Sequence, residues 1–182
     1  MDFSWRFDRW FKSLPESPTD VGKVCGLVIR PREGERETPN SIELSVEGGI
    51  AGDRWISDKH SRPTNQISMI NVHLLRAVVD GQAERMPLSG DNLQVDLNLT
   101  EENLPPGTLL NIGSAVLVVT DDPHRPCKQF IERFGLTNTK RVSRADRIGR
   151  RGRGVLCRVL QGGLITTEDV IFVKRTNAVA LM

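Results

Sequence analysis

TLLNIGSAVLVVT, residues 108–120, consists of two short apolar runs hinged on Gly113-Ser114. Each run is too short for a helix and leans on β-branched residues, so the stretch predicts a two-stranded hairpin with a tight glycine turn. Outward from it the same pattern recurs in VCGLVI (24–29), IELSV (42–46), QISMI (66–70), LQVDLNL (93–99), GVLCRVL (154–160) and DVIFVK (169–174). Leu93, Val95, Leu97 and Leu99 alternate with polar residues, the period-two mark of a strand with one wet face. Gly162-Gly163 predicts a second hairpin-type turn, so the pairing is expected to be antiparallel. Two interior stretches predict helices. Residues 71–79 place Val72, Leu75 and Val79 on one stripe behind a capping Asn71, and residues 128–134 stop at Gly135. Many short strands with few helices predict a mostly β fold, a closed or nearly closed β-barrel, because closure removes exposed strand edges.

The 182 residues suffice for one core without staples, and no linker or repeat divides them. The barrel domain is expected over 21–176. An arm at 1–20 carries an aromatic helical stripe that should pack on the domain surface, and a short tail follows at 177–182. Arg6, Asp8, Arg9 and Lys12 interrupt what would be the apolar core of a secretory signal, and no apolar run approaches the roughly twenty residues of a membrane span. A cytoplasmic protein without a membrane partner is expected. The net charge of +2 gives no general reason to expect nucleic acid.

DDPHRPCKQF, residues 121–130, sets Cys127 between two prolines and among basic residues, directly before a predicted helix. A helix start and neighbouring cations favour thiolate, so Arg125, Lys128 and the helix make Cys127 the candidate reactive or metal-binding thiol, with His124 as its proton acceptor or a second ligand. Cys25 and Cys157 lie inside strand patterns and read as packing residues. His73 falls in a helix pattern and reads as structural, whereas His60 lies in a polar loop without an assigned role. Three scattered cysteines form neither a disulfide framework nor a zinc module. GGIAGDRW (48–55) and SGDNLQV (89–95) are glycine loops whose Gly52, Asp53, Arg54 and Gly90, Asp91, Asn92 would let a ligand approach the backbone, though a local ion pair or an ordinary turn explains them equally. Lys140 through Arg153 hold the one strong basic cluster, without apolar periodicity or interleaved aromatics. It reads as a mobile loop, suited at most to anions or, as the alternative function, to nucleic acid.

The succession GGIAGDRW, PTNQISMIN, SGDNLQVDLNL, PPGTLLNIGSAVLVVT, PHRPC, a basic stretch and GVLCRVLQGG resembles the MOSC domain, the family named for the C-terminal domain of molybdenum-cofactor sulfurases, over about residues 21–175. The resemblance implies a β-barrel-like fold of a stand-alone member. It implies molybdenum cofactor (molybdopterin) as ligand, with Cys127 as the molybdenum ligand or a persulfide carrier. Gly52, Asp53, Arg54, Gly90, Asp91 and Asn92 would line the pocket, Arg125, Lys128 and Arg151 would add cofactor contacts, and Arg54 with the 140–153 cluster would be available to the pterin phosphate. Where the family more often has Gly-Glu-Asn this chain has Gly90-Asp91-Asn92, a shorter carboxylate. Cofactor sulfuration or reduction of N-hydroxylated compounds would then need a separate sulfur donor or electron-transfer protein, and no pyridoxal phosphate is expected in this chain.

Overall fold

The computed structural model describes residues 4–175. Seven strands close a barrel: β1 (Val21–Leu27), β4 (Ile67–Asn71), β5 (Leu93–Asp96), β6 (Leu109–Ile112), β7 (Ala115–Val119), β8 (Val155–Gln161) and β10 (Val170–Lys174). Around the barrel the order is β1, β10, β6, β7, β8, β4, β5, and β5 pairs back onto β1. The expected barrel is therefore present. The hairpin at Gly113-Ser114 joins β6 to β7 in the register Ile112↔Ala115.

Two details differ from the all-antiparallel expectation. β4 and β5 run parallel, because a crossover containing α2 (Val72–Val78) and a 3₁₀ segment (Ala83–Ser89) separates them and returns the chain in the same direction. Gly162-Gly163 turns the chain but makes no hairpin. β9 (Gly163–Thr166) leaves β8 and pairs with β2 (Ser41–Ser45), which also pairs with the two-residue β3 (Gly49–Ile50).

The alternation of side chains sorts the strands into two cores. Val24, Met69, Leu93, Val95, Leu117 and Cys157 point into the barrel, while their neighbours Cys25 and Ile70 point outward into a second cluster. That outer cluster is roofed by α2 and α3 (Lys128–Arg147). As expected, Asn71 caps α2, its side chain accepting from the amides of His73 and Leu74.

The stretch expected as a mobile basic loop is helical as far as Arg147. Gly135, at φ 78° and ψ 163°, breaks α3 where the helix was expected to stop, and a second helical run then begins in a new phase. Phe130 and Phe134 are buried before the break, and Thr139, Val142 and Ala145 after it. No single stripe spans the glycine, which hid the periodicity. The arm forms α1 (Ser4–Lys12) and packs on the outer cluster through Trp10 and Phe11. Arg141 stacks 5.0 Å over Trp10, Arg144 5.1 Å over Phe7 and Arg150 5.6 Å over Phe11, so aromatics do meet the basic cluster, in space rather than in sequence. The 177–182 tail lies outside the described residues.

Candidate functional site

Four loops converge beside the start of α3 and enclose a cleft of 290 Å³. The segment after β1 brings Arg30 and Arg36, the turn after β3 brings Arg54 and Trp55, and the turn before β5 brings Ser89 and Gly90. The fourth loop brings His124 and Cys127, and α3 adds Gln129, Phe130 and Arg133. Cys127 is the N-cap of α3. Its thiol is exposed at the mouth and makes no capping hydrogen bond, so it stands free at the positive end of the helix.

The acidic members of the two glycine loops lie beneath this wall. Asp53 is 4% exposed and accepts from the Arg30 amide at 2.9 Å, from Arg30 Nε and Nη2 at 3.0 Å each, and from the Trp55 amide at 2.9 Å. Burial would raise its carboxyl, but the Arg30 fork and these amides outweigh that and hold it below the usual carboxylate range. Asn92, fully buried, ties the same network together: its Oδ1 accepts from Arg30 Nη2 and from Ser68, and its Nδ2 donates to Asp53. Asp91, also fully buried, receives Arg153 Nη1 at 2.6 Å and 2.5 Å on its two oxygens, and Arg153 Nη2 donates to the Ser89 carbonyl at 3.2 Å. Burial pushes the Asp91 carboxyl up, and Arg153 opposes the shift. Both carboxylates thus act on guanidiniums that face the cleft, and the shorter Asp91 is held by its arginine.

The guanidiniums crowd one another. Arg36 is pushed down to about 10, first by burial and then by Arg133, Arg30 and Arg54. Several guanidiniums lining one cleft give it a positive field of the kind that suits an anion. Gly90, at φ 75°, makes room for it: a Cβ there would stand 3.1 Å from Arg36 Nη2. His124 closes the far side, its Nε2 3.7 Å from Asp91 and its Nδ1 buried without a partner. Burial and then the nearby Arg153 and Arg30 depress its pKa well below the ordinary value, so the ring is neutral.

Of the residues expected at the site, Cys127, His124, Arg54 and Gly90 line the cleft, and Asp53, Asp91 and Asn92 brace it from behind. Gly52 faces a separate groove beside Ala51 and Ile56. Arg125 and Arg151 face a neighbouring cavity of 730 Å³, and Lys128 is exposed and paired with Glu132 at 3.7 Å. His60, without an expected role, lines the cleft, while His73 pairs with Asp96 at 3.2 Å as a structural residue. Cys157 is buried, and its thiol is pushed up to about 12 by burial. Sequence reasoning missed Arg30, Arg36 and Arg133 because nothing local marks them. Only the fold brings them together around one cleft.

Among the described residues no three His, Cys, Asp or Glu side chains group to hold a metal ion. A metal at Cys127 would have to bring most of its ligands with it. One soft sulfur, an arginine wall and an unpartnered imidazole nitrogen fit a metal carried by an anionic organic ligand.

A family model described as MOSC domain matches residues 53–172. Among solved structures, the YuaD protein from Bacillus subtilis aligns at TM-score 0.64 and 19% identity, covering 86% of this chain and 97% of that one. YiiM from Escherichia coli aligns at 0.57 and 19%, covering 85% and 71%, and YiiM from Geobacillus stearothermophilus at 0.57 and 18%, covering 88% and 78%. These likenesses are of fold. No curated protein matches the sequence significantly.

Proposed function

The chain belongs to the MOSC domain family, which is associated with molybdenum cofactor, and from that premise we propose that its arginine-walled cleft binds the cofactor with Cys127 as the thiolate ligand to molybdenum. The observation that carries the proposal is the meeting of Cys127 with Arg30, Arg36, Arg54 and Arg133 around one cleft. Thiolate suits the metal, and the guanidiniums suit the pterin phosphate. The bound cofactor would supply two-electron redox chemistry. Around it, the Asp53 and Asp91 networks hold Arg30 and Arg153 in place, α3 presents the sulfur from its N-terminus, and His124, kept neutral by burial and by Arg153 and Arg30, could accept a hydrogen bond without taking up charge. Reduction of an N-hydroxylated compound to the amine consumes two electrons and two protons and releases water. The electrons would come from a partner protein.

The exposure of Cys127 supports a second reading, that of a sulfur carrier in cofactor sulfuration. In that role its thiolate takes the outer sulfur of a donor persulfide, forming Cys127 persulfide and leaving the donor as thiolate. Binding of oligonucleotides by the 140–153 cluster is not favoured. Arg153 is buried on Asp91, and Arg141, Arg144 and Arg150 are stacked on α1.

The test is molybdenum content and pterin fluorescence of protein purified from a cofactor-producing host. Wild type should carry both, Cys127→Ala should lose molybdenum, and Arg36→Ala should lose pterin. Equal molybdenum in wild type and Cys127→Ala, or no loading of either, overturns the assignment.

A further inference from the structure

The helices cover only part of the barrel's outer face. α2 and α3 roof the side on which Ile70 of β4 and Cys25 of β1 point outward. Across the barrel, β10 reads Val170-Ile171-Phe172-Val173-Lys174 and is apolar on both faces, the pattern of a strand that is covered on both. Ile171 fills the barrel, yet Phe172 is 52% exposed, Val170 44%, and Val21, the cross-strand partner of Phe172, 51%.

The patch continues onto the β6–β7 hairpin. Phe172 pairs with Asn111 and Asn111 with Val116, while one row further along Lys174 pairs with Leu109 and Leu109 with Val118. Cross-strand partners stand on the same side of a sheet, so these side chains form one surface, roughly 15 Å by 20 Å from strand spacing and rise. Single apolar residues on a surface are ordinary, but a contiguous group rimmed by charge marks a contact site.

The charges select the occupant. Glu168 stands just before β10 and pairs with Lys23, whose register partner is Val170, so it lies at one end of the patch. Lys174 is exposed at the other end. Read outward, this edge runs Glu168, Val170, Phe172, Lys174, with Ile171 at its midpoint. A second copy turned through 180° about an axis across the strands at Ile171 sets Val170 of each copy against Phe172 of the other, and Glu168 of each against Lys174 of the other. The series is complementary to its own reverse, so a second copy matches it by symmetry alone.

We propose that the bare outer face of β10 and the β6–β7 hairpin is a two-fold interface between copies of this chain, with Val170 and Phe172 at its centre and Glu168–Lys174 pairs at its ends. A patch of this size falls below that of permanent complexes, so the dimer is reversible and depends on concentration. It needs neither Cys127 nor the cofactor.

Sedimentation of the full-length chain between about 1 µM and about 500 µM tests this, in reductant so that Cys127 cannot link copies. Wild type should pass from monomer to dimer over that range. Phe172→Asp should stay monomeric throughout, with the circular dichroism of wild type. Lys174→Glu alone and Glu168→Lys alone should each weaken self-association about fivefold or more, since each sets like charges together twice. An equimolar mixture of these two variants should regain wild-type association, because both contacts between unlike copies are again opposite in sign. Neither variant can repair damage to the other's fold, so this rescue separates the interface from a merely structural effect. Cys127→Ala should dimerise as wild type does, so failure of the cofactor assignment would leave the result unchanged. A chain still monomeric at about 500 µM, which would leave the face to a different protein, a dimer that survives Phe172→Asp, or a mixture no tighter than its components overturns the proposal.

Discussion

The thiols and the buried charges give the sharpest residue-level expectations. With Ellman's reagent on native protein, Cys127 should react at once, Cys25 slowly and Cys157 only on unfolding, since Cys127 is exposed, Cys25 half-buried and Cys157 sealed in the barrel. A fast phase that survives in Cys127→Ser would contradict this. Removing Arg153 leaves Asp91 charged and buried, so Arg153→Ala should cost about 3–5 kcal/mol in urea unfolding. Lys128→Ala breaks only an exposed helical pair and should cost about 0.5 kcal/mol or less. His124 has its pKa lowered in the fold, so near neutrality both folded and unfolded rings are neutral. As pH falls below about 6.5, the unfolded ring takes up a proton that the folded ring refuses, and stability is lost by at most about 1.4 kcal/mol per pH unit. Asp91 and Asp146, both raised by burial, oppose this by binding protons first in the fold. The difference between wild type and His124→Gln isolates the histidine: the variant should lose less stability between pH 7 and pH 5, and an identical pH profile would remove His124 from the account. Cys127 was legible because an unusual local context marked it. Arg30, Arg36 and Arg133 were not, because their importance lies in meeting one another from segments far apart in the chain.

At the scale of the element, three glycines separate backbone strain from crowding. Gly52, at φ 79°, has no atom within 4 Å of the place a Cβ would occupy, so Gly52→Ala should cost only the left-handed strain, about 1–2 kcal/mol. Gly135 holds φ 78° and ψ 163°, a region almost reserved for glycine, and Gly135→Ala should cost about 1–3 kcal/mol and disturb the junction between the two halves of α3. At Gly154, with φ 92°, a Cβ would stand 1.9 Å from the Met69 carbonyl oxygen, where β8 joins β4. Gly154→Ala should therefore be the most damaging of the three by thermal unfolding. If Gly52→Ala equalled it, strain rather than backbone contact would govern these turns. The strands themselves were legible from period-two alternation and glycine turns, which local sterics dictate. The parallel pairing of β4 with β5 and the exit of β9 to a second sheet were not, because direction and partner depend on the path of the intervening chain. The second half of α3 was hidden for a different reason: a glycine resets its phase, so the two buried stripes do not join into one.

For the whole molecule, a net charge of +2 conceals a division of labour among the arginines. One set, Arg30, Arg36, Arg54 and Arg133, faces a cleft whose lining includes one carboxylate, Asp58, while Asp53 grips Arg30 from below. The other set, Arg141, Arg144 and Arg150, lies against the rings of α1, where flat guanidiniums cover aromatic faces and fasten the arm to α3 and to the segment that follows it. The two sets should therefore fail in different ways. Replacing Arg141 and Arg150 with serine should loosen α1, giving earlier proteolysis near residue 13 and a stability loss of about 1–2 kcal/mol from two cation–π contacts, with cofactor loading intact. Replacing Arg36 and Arg133 with serine should remove crowded like charges, leave the fold intact or slightly more stable, and abolish retention of the pterin. A single-stranded oligonucleotide at low salt distinguishes this from a nucleic-acid role of the basic helix. If the cluster bound nucleic acid, the Arg141/Arg150 pair would lower affinity and reduce the dependence of affinity on salt by up to about two phosphate contacts. With those side chains committed to α1, that variant should leave any residual oligonucleotide affinity unchanged, and a clear drop in the salt slope would show that the basic helix, rather than the cleft, is the anion-binding surface of the molecule.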